Sequence, residues 1–453
     1  MAKSKSVNAL AVVHPNAAGI DIGSREIWVA VSPDQTGETT RCFATFTPDL
    51  HRLADWLIAC GVNTVALEST GVYWIPLFEI LEARGLEVFL VNARHVKHVP
   101  GRKSDVQDCN WLQKLHSLGL LSASFRPDAE MCALRTLLRH RAQLIQHRSP
   151  HILHMQKALQ QMNLQLHHVL SDITGVTGQQ ILRAIVAGEH DPNLLAAFRQ
   201  PGCKADEATI VKALTGNWGD EHLFVLKQSL ALFDFFTNQV ALCDAEVEAR
   251  FATIKPRWDA PAPLPVLPKI KPNSRPKNKP AESTRQELFR ITGVDLVAVD
   301  GINANLAQTI LSEIGTDMTR FPSVKHFASW LGLAPHNDIS GGKVLRSRTL
   351  KTGNRAGQAF RQAAASLSRS NSAFGAFYRR KRAVLGPAQA MVATAHRIAR
   401  TVYFMLKHNL AYLDPGAETY EAQRQLREVA SLKRRAAKLG FDLAAKPPLT
   451  SPP

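Results

Sequence analysis

The first 128 residues contain short apolar runs that alternate with stretches of helical periodicity. The runs are rich in residues that favour β-structure, and each is short enough for one strand. Strands are predicted at 19–23, 26–32, 41–46, 62–67 and 86–91. Apolar residues at three-to-four spacing predict helices that begin near Pro48, Trp74 and Ser104. Strands that first form a meander and then alternate with helices indicate an α/β domain with a mixed sheet.

The pattern becomes helical and long over residues 129–255. Leucine, isoleucine and methionine recur at helical spacing from Ala129 to about Leu170, and a second long helix is predicted over about 220–254. Pro150 is expected to kink or split the first helix. With a compact helical insert at 178–215, the pattern predicts an antiparallel coiled-coil arm, which is expected to pack against a second copy.

Residues 256–283 form a predicted linker, because its first 25 residues hold eight prolines and several lysines with little to bury. A mainly α-helical C-terminal domain is predicted at 284–412, followed by a basic helical tail at 413–453. Within that domain, Leu288 to Asp295 and Val299 to Gly315 resemble a helix-hairpin-helix unit. The alternative for this segment is a plain helical turn.

Composition is that of a globular protein, with 45% hydrophobic and 21% charged residues. No apolar run has the length of a membrane span, and the N-terminus lacks the apolar segment of a signal peptide. The six cysteines are scattered, which indicates reduced thiols in a cytoplasmic protein and makes a zinc site an unfavoured interpretation.

The net charge of +17 is concentrated near the C-terminus. Between Ser340 and Gly440 there are 20 lysines and arginines against 4 acidic residues. A local surplus of this kind is typical of a nucleic-acid-binding surface. The alternative is a solvated basic tail, which is disfavoured because the arginines alternate with alanine, phenylalanine and tyrosine at helical spacing.

Four carboxylates in the first domain are candidate metal ligands. Asp105 and Asp108 share one face at the start of a predicted helix, and repulsion between them favours a cation. Asp21 lies in the first strand, and Glu68 ends the fourth. If the two strands are neighbours and the helix crosses them, the four oxygen donors suit Mg²⁺ or Mn²⁺. The alternative is that each acid is a surface or capping residue.

The segments around these acids resemble a known family. They are Gly19-Ile-Asp-Ile-Gly23, Ala66-Leu-Glu-Ser-Thr-Gly71 and Lys103-Ser-Asp-Val-Gln-Asp108. Their order is similar to that of RuvC-like nucleases with the ribonuclease-H fold and, more narrowly, of the DEDD transposases of bacterial insertion sequences, the bridge-RNA-guided recombinases. The resemblance implies that Asp21, Glu68, Asp105 and Asp108 bind divalent metals. Arg102 and Lys103 beside them suggest an anionic partner.

A second candidate group surrounds Ser340. This serine precedes two glycines on a predicted accessible loop, after a helix that Pro335 is expected to end. The basic residues that follow are Lys343, Arg346, Arg348, Lys351 and Arg355. A serine hydroxyl can attack phosphorus when metal ions or basic groups assist it. The spacing alone is equally consistent with an alternative, in which Ser340 is only a turn residue and the basic residues only bind backbone phosphates.

The segment Gly-Leu-Ala-Pro335, the Ser340-Gly pair and the basic Gly-Asn-Arg355 stretch resemble the C-terminal domain of the same transposases. The resemblance extends over about 19–118 and 284–407, and it implies that Ser340 attacks DNA to form a covalent phosphoserine link. It further implies donor and target DNA, a guiding bridge RNA, and a homodimer that assembles to a homotetramer in the bacterial cytoplasm at the nucleoid.

Additional nucleic-acid contacts are predicted where cations adjoin aromatic residues. These cations are Arg379, Arg380, Lys381 and Arg382. Two other functions fit the residues alone. One is a metal-dependent, junction-resolving endonuclease in which Ser340 is incidental, and the other is a non-catalytic nucleic-acid-binding protein.

Overall fold

The structure is a computed structural model that describes residues 11–92, 105–258, 264, 278, 280, 283–349 and 353–444. The chain divides into two compact units, Met1–Arg126 and Pro127–Pro453. Ser104, the predicted start of the acidic helix, lies outside the described residues. No helix among the described residues is long and apolar enough to cross a membrane.

The first unit is built on a five-stranded mixed sheet. Its strands are β1 (Ala17–Ile22), β2 (Glu26–Ala30), β3 (Thr40–Ala44), β4 (Thr64–Glu68) and β5 (Glu87–Val91). Their spatial order is β3-β2-β1-β4-β5, in which β1, β4 and β5 are parallel while β2 and β3 run antiparallel to their neighbours. The predicted α/β domain with a mixed sheet is therefore confirmed.

Helices cover both faces of this sheet. They are α1 (Thr47–Ala59), α2 (Trp74–Ala83) and α3 (Asp105–Ser117). Ile20 and Leu67 pack in the large apolar core with α1 and α2. Ala66, one residue before Leu67, packs instead with Leu112 of α3. Because successive side chains of a strand point to opposite faces, this alternation places α1 and α2 on one face and α3 on the other.

The close approach of α3 to β1 requires a glycine. A Cβ atom on Gly19 would lie 2.2 Å from the Gln113 backbone nitrogen and 2.4 Å from the Cys109 carbonyl oxygen. Both atoms belong to the α3 backbone, so no side-chain rotation could relieve the overlap. The absent side chain at Gly19 therefore sets how close α3 lies to the sheet.

A histidine is buried where α3 ends. His116 is fully buried, its Nε2 lies 2.9 Å from Thr64 Oγ1, and its ring lies against those of His14 and Phe89. Its Nδ1 has no hydrogen-bond partner. Burial, helped by the nearby His14, lowers the pKa of His116 to about 4, so the folded state holds this ring neutral.

Two long helices dominate the start of the second unit. They are α4 (Ala129–Gln161) and α9 (Asp220–Thr253). Leu144 packs against Val240 and Cys243, while Arg148 further along α4 bonds to Thr237, which is earlier in α9. The helices are therefore antiparallel within one chain. Pairing with a second copy remains a prediction.

The first long helix differs from two expectations, since it is not split at Pro150 and does not extend to about Leu170. A kink at Pro150 remains a prediction. Helix α4 continues through Pro150 and ends at Gln161. Proline removes one backbone hydrogen bond, but side chains next to it are held by α9, since His151 stacks on Phe236. Tertiary packing thus maintains the helix through the proline.

Four short helices lie between α4 and α9. They are α5 (Leu166–Val169), α6 (Val176–Val186), α7 (Pro192–Ala196) and α8 (Glu207–Leu214). Ile181 and Ile210 share one apolar core with Leu159 of α4 and Leu226 of α9. This core joins the insert to the adjoining ends of both long helices.

The remainder of the second unit is mainly helical. Its helices are α10 (Thr284–Thr292), α11 (Ala304–Ile314), α12 (Val324–Trp330), α13 (Arg355–Ser366), α14 (Ala373–Leu385), α15 (Pro387–His408) and α16 (Gly416–Lys438). Single 3₁₀ turns occur at Leu296–Ala298, Met318–Arg320 and Leu367–Arg369. The helix-hairpin-helix interpretation of α10 and α11 is not confirmed. Asn303 caps α11 by accepting a 2.9 Å bond from the Leu306 backbone nitrogen.

A two-stranded hairpin interrupts these helices and was missed by the sequence analysis. It consists of β6 (Pro335–Ser340) and β7 (Lys343–Thr349). Pro335 begins β6 instead of ending a helix, because α12 already ends at Trp330. Nearly every hairpin residue is exposed on either face, so the strands lack the apolar alternation by which a half-buried strand is recognised.

The buried His116 predicts a pH-dependent stability. Because its folded pKa of about 4 lies below the ordinary value of 6.5, the unfolded chain binds more protons between those values. The contribution of His116 to the free energy of unfolding should therefore be complete above pH 6.5. It should decrease as the pH drops to 4, by about 3 kcal/mol in total. Hydrogen exchange in peptides from β4 and α3 should show this fall, His116→Gln should abolish it, and the exposed-residue variant His51→Gln should retain it.

The glycine contact predicts a second stability effect. Gly19→Ala should lower the free energy of unfolding of the first unit by about 3 kcal/mol, because the methyl group meets the α3 backbone. Urea unfolding with hydrogen exchange in β1 and α3 peptides measures the change. Gly37→Ala is the matched control, since a Cβ there meets no atom within 4 Å. Equal effects of the two substitutions would contradict the packing argument.

Candidate functional site

Asp21 and Glu68 occupy equivalent positions at the ends of two neighbouring parallel strands. Ile20 of β1 pairs with Leu67 of β4, so each acid directly follows a paired residue. Gly19 and Ala66 face α3, and the acids two residues later therefore point to the same face. Both are half-buried, and Glu68 accepts a 3.3 Å hydrogen bond from Thr70 Oγ1.

Asp105 and Asp108 lie in the first turn of α3, the helix packed on that face. The neighbouring Cys109 thiol is buried, which raises its pKa to about 12, and the Asp21 and Asp108 carboxylates add to this effect. Asp108 and Asp21 are thus close enough to act on one sulfur atom. Asp105 is exposed, and it acts with Glu26 on a different thiol, Cys42, whose pKa is raised by burial first and then by these two acids.

The four predicted acids therefore share one face of the sheet at the end where β1 and β4 finish. Carboxylate oxygens are hard donors, and their chemistry fits Mg²⁺ or Mn²⁺. Among the described residues, however, no three side chains of His, Cys, Asp or Glu are close enough together to hold a metal ion. The acids are placed on a common face without forming a complete ligand group.

Two features of this face were missed by the sequence analysis. Glu26 is a fifth acid on this face, because Asp21 pairs with Trp28 and Glu26 lies two residues before Trp28 in β2. Burial raises the pKa of Cys42, and Glu26, like Asp105, raises it further. Gly19 is the other. A glycine two residues before a candidate ligand in a strand was the available signal for a close helix. The predicted Arg102 and Lys103 lie outside the described residues.

Ser340 is at the turn of the β6–β7 hairpin. It is exposed and pairs with Lys343 across Gly341 and Gly342. The two glycines have φ values of +55° and +75°, which is the left-handed region that two-residue hairpin turns require. The prediction of an accessible serine at a tight turn agrees with this geometry, although the serine ends a strand.

Polar and charged residues share the hairpin face that carries Ser340. His336, Asp338 and Ser340 alternate along β6, so their side chains point the same way. Directly opposite them on β7 are Arg348, Arg346 and Lys343, respectively. A bulge next to Asp338 preserves this pairing up to the turn. His336 Nε2 lies 3.7 Å from Asp338 Oδ1.

The hairpin face thus carries Lys343 opposite the serine and two arginines further along the same face, an arrangement suited to an anionic DNA backbone. Arg355, also predicted to bind nucleic acid, is an exposed residue at the start of α13, and the predicted Lys351 lies outside the described residues.

The predicted cations of α14 differ in their surroundings. Arg379 donates a 2.6 Å bond to the Ser370 carbonyl oxygen, and Arg380 donates a 3.0 Å bond to Tyr420 Oη. These two guanidinium groups hold α14 to neighbouring segments. Lys381 lies over the Phe377 ring, and Arg382 is exposed. Of the four, Lys381 and Arg382 are the more available to a partner.

Two family models match the chain in the segments that carry these groups. A DEDD transposase model matches residues 18–164, which include all four acids. A model of the IS116/IS110/IS902 transposase family matches residues 295–379, which include Ser340 and the hairpin. A comparison with curated proteins found no match.

The mixed sheet of the first unit is consistent with the ribonuclease-H-like fold of a DEDD domain. Transposases cleave and move DNA, so DNA is a partner of this protein. The two matches together cover just over half of the sequence, in the order expected for one family, and the chain therefore belongs to the IS110-type DEDD transposases.

Proposed function

We propose that this transposase exchanges DNA strands through a covalent link to Ser340, assisted by Mg²⁺ or Mn²⁺ at Asp21, Glu68, Asp105 and Asp108. The observation that carries the proposal is the hairpin face, on which the exposed serine ends a strand opposite Lys343, with Arg346 and Arg348 further along the same face. A serine with a merely structural role in a turn needs no such set of cations.

The hydroxyl of Ser340 performs the attack. A bond forms between its oxygen and phosphorus while the bond from phosphorus to the leaving strand breaks, and the serine proton ends on the released hydroxyl. The protein–DNA ester retains the energy of the phosphodiester, so a hydroxyl of another strand can reverse the reaction without ATP. The overall reaction is transesterification.

The cations of β7 stabilise the charge that develops on the phosphate. Arginine can donate two parallel hydrogen bonds to non-bridging oxygens, while lysine acts as a point charge. Arg346 and Arg348 stand opposite alternate residues of β6, which fixes their spacing relative to Ser340. Groups already oriented toward the phosphate stabilise the transition state because they need no rearrangement during the reaction.

The four acids would hold the metal. Their carboxylates lie on one face of the sheet, and a bound divalent ion would polarise the phosphodiester. The acids themselves repel one another, which favours separation until a cation neutralises them. Binding would thus draw Asp105 and Asp108 of α3 towards Asp21 and Glu68 at the strand ends.

Further partners belong to the same proposal. A bridge RNA would select donor and target DNA by base pairing, while the protein holds backbone and shape. Assembly of a dimer and then a tetramer would bring the acids and Ser340 of different copies together. Exposed apolar residues on α9 support such pairing, since no described part of the chain covers them. They are Phe224, Val225, Leu232, Phe235 and Leu242.

The serine role predicts a covalent adduct. Incubation with Mg²⁺ and DNA that carries the ends of the element should yield a protein–DNA species that resists denaturant, and Ser340→Ala should remove it completely. Ser347→Ala is the matched control, because Ser347 pairs with Asn337 and so points to the other face of the hairpin. An adduct that persists in Ser340→Ala would exclude this nucleophile, and normal hydrolytic cutting by that variant would favour a junction-resolving nuclease.

The metal role predicts a separate loss. Asp21→Asn and Glu68→Gln should each reduce Mg²⁺-dependent strand transfer about a hundredfold or more, because a lost ligand weakens charge stabilisation at the phosphate. Titration calorimetry with Mn²⁺ should show weaker binding in both variants, and DNA affinity without metal should stay unchanged. The exposed-residue variant Asp34→Asn should match the unaltered protein. Undiminished strand transfer in both variants would rule out the metal site.

A further inference from the structure

One face of α15 forms a groove that contains neither the four acids nor any residue of the β6–β7 hairpin. A cavity of about 460 Å³ lies between this helix and Phe377 of α14. It is lined by Phe377, Ala393, His396, Arg397, Arg400, Thr401 and Phe404. A second cavity of about 380 Å³ shares Arg397, Thr401 and Phe404 and extends to Tyr412 and Asp414. Each is within the size range of sites that bind small ligands.

Arg397 is the central residue of the groove. Its guanidinium carbon lies 5.9 Å from the ring centre of Phe374, 4.9 Å from that of Phe377 and 5.2 Å from that of Tyr420. No hydrogen bond or ion pair engages this guanidinium among the residues that the structure describes. The side chain is half-buried, and none of its nitrogen atoms is among the buried polar atoms without a partner, so its N–H groups are open to solvent. A guanidinium that is positioned by aromatic faces and can still donate is able to bind an anion from outside the chain.

Other side chains add positive charge to the same groove. Arg400 is exposed one turn along α15, and its charge contributes, after burial, to the lowered pKa of His396. The acid at the far end, Asp414, already accepts a 3.0 Å bond from the Ala373 backbone nitrogen. The groove therefore presents two arginines to a ligand at the end where His396 lies.

An exposed aromatic ring borders both cavities. Phe404 is 40% exposed, although it lies next to the buried Tyr403 on α15. The ring of His408, one turn later, stacks on it with centres 6.0 Å apart. Aromatic rings beside cations are how proteins bind single-stranded nucleic acid, because every base offers a face to stack and every phosphate a charge.

We propose that this groove binds an unpaired nucleotide of a single-stranded nucleic acid, with Arg397 and Arg400 on the phosphate and the base stacked on Phe404. A duplex would leave Phe404 unused, since its bases are already stacked on each other. The proposal rests on the proposed function only in assigning nucleic acid as the ligand. None of its residues belongs to the four acids or to the Ser340 hairpin.

Fluorescence anisotropy with short single-stranded oligonucleotides, in the absence of divalent metal, tests the stacking contact. Phe404→Ala should weaken binding about tenfold, as expected for the loss of one base–aromatic contact. The matched control Phe198→Ala removes a phenylalanine of similar exposure, 37%, from the segment after α7 and should change little. On a strand of abasic units the effect of Phe404→Ala should vanish, because no base remains to stack.

Salt dependence tests the phosphate contacts. Arg397→Gln and Arg400→Gln should each lower the slope of log K against log salt concentration by about 0.7 for a single strand, as expected for one lost phosphate contact. Arg250→Gln, an exposed arginine of α9, is the matched control. The same variants are measured with RNA strands and with DNA strands. The strand for which the substitutions lower the affinity is the one that supplies the nucleotide, and a loss with both strands assigns it to both.

Unchanged affinity and salt slope in both Phe404→Ala and Arg400→Gln would overturn the proposal, as would an equal loss on duplex DNA. These two residues are exposed, so their variants remain informative if Arg397→Gln disturbs the packing around its three rings. The binding assay needs neither metal nor strand transfer, so its result is independent of the Ser340 adduct. The groove proposal can therefore be wrong while the adduct forms, and it can be right when no adduct is found.

Discussion

The approach of α3 to β1 at Gly19 is the constraint on which the first unit depends. With no side chain between them, the helix backbone lies on the strand, and the first turn of α3 is carried to the ends of β1 and β4. Asp21 and Glu68 then lie on the sheet face that is covered by α3, the helix that carries Asp105 and Asp108. Any larger residue at position 19 would raise the helix from the sheet and separate the two pairs.

The hairpin of the second unit is organised in the opposite way. Its residues are exposed on both faces, so it has little burial to hold its shape, and backbone pairing with two glycines at the turn defines it. Exposure and regular alternation place Arg346 and Arg348 on the face of Ser340. Burying such a charged surface in a core would be unfavourable, but it is suited to binding a phosphate backbone, whose charges are opposite in sign.

Much of the fold was readable from local pattern. The five strands, the helices between them and the second long helix were predicted because buried elements leave clear apolar periodicity. The β6–β7 hairpin was missed because exposed strands carry no such period. The expected split of the helix at Pro150 does not occur, since contacts such as that of His151 with Phe236 oppose a local helix-breaking preference, while a kink there remains a prediction. The acids and Ser340 were identified by spacing and resemblance, whereas Glu26 and the α15 groove were not.

The sequence by itself therefore determined the order of the buried elements, the residue types able to bind metal or attack phosphorus, and the family to which they point. Tertiary structure decided which face each acid occupies, which cations stand opposite Ser340, and which arginines are already engaged within the protein. Arg380 and Arg397 are equivalent in the sequence as basic residues of helices, and both lie over aromatic rings. Among the described residues, however, only the guanidinium of Arg380 also donates a hydrogen bond, to Tyr420. Residues distant in sequence decide whether an arginine is already engaged, and a local sequence pattern does not predict such contacts.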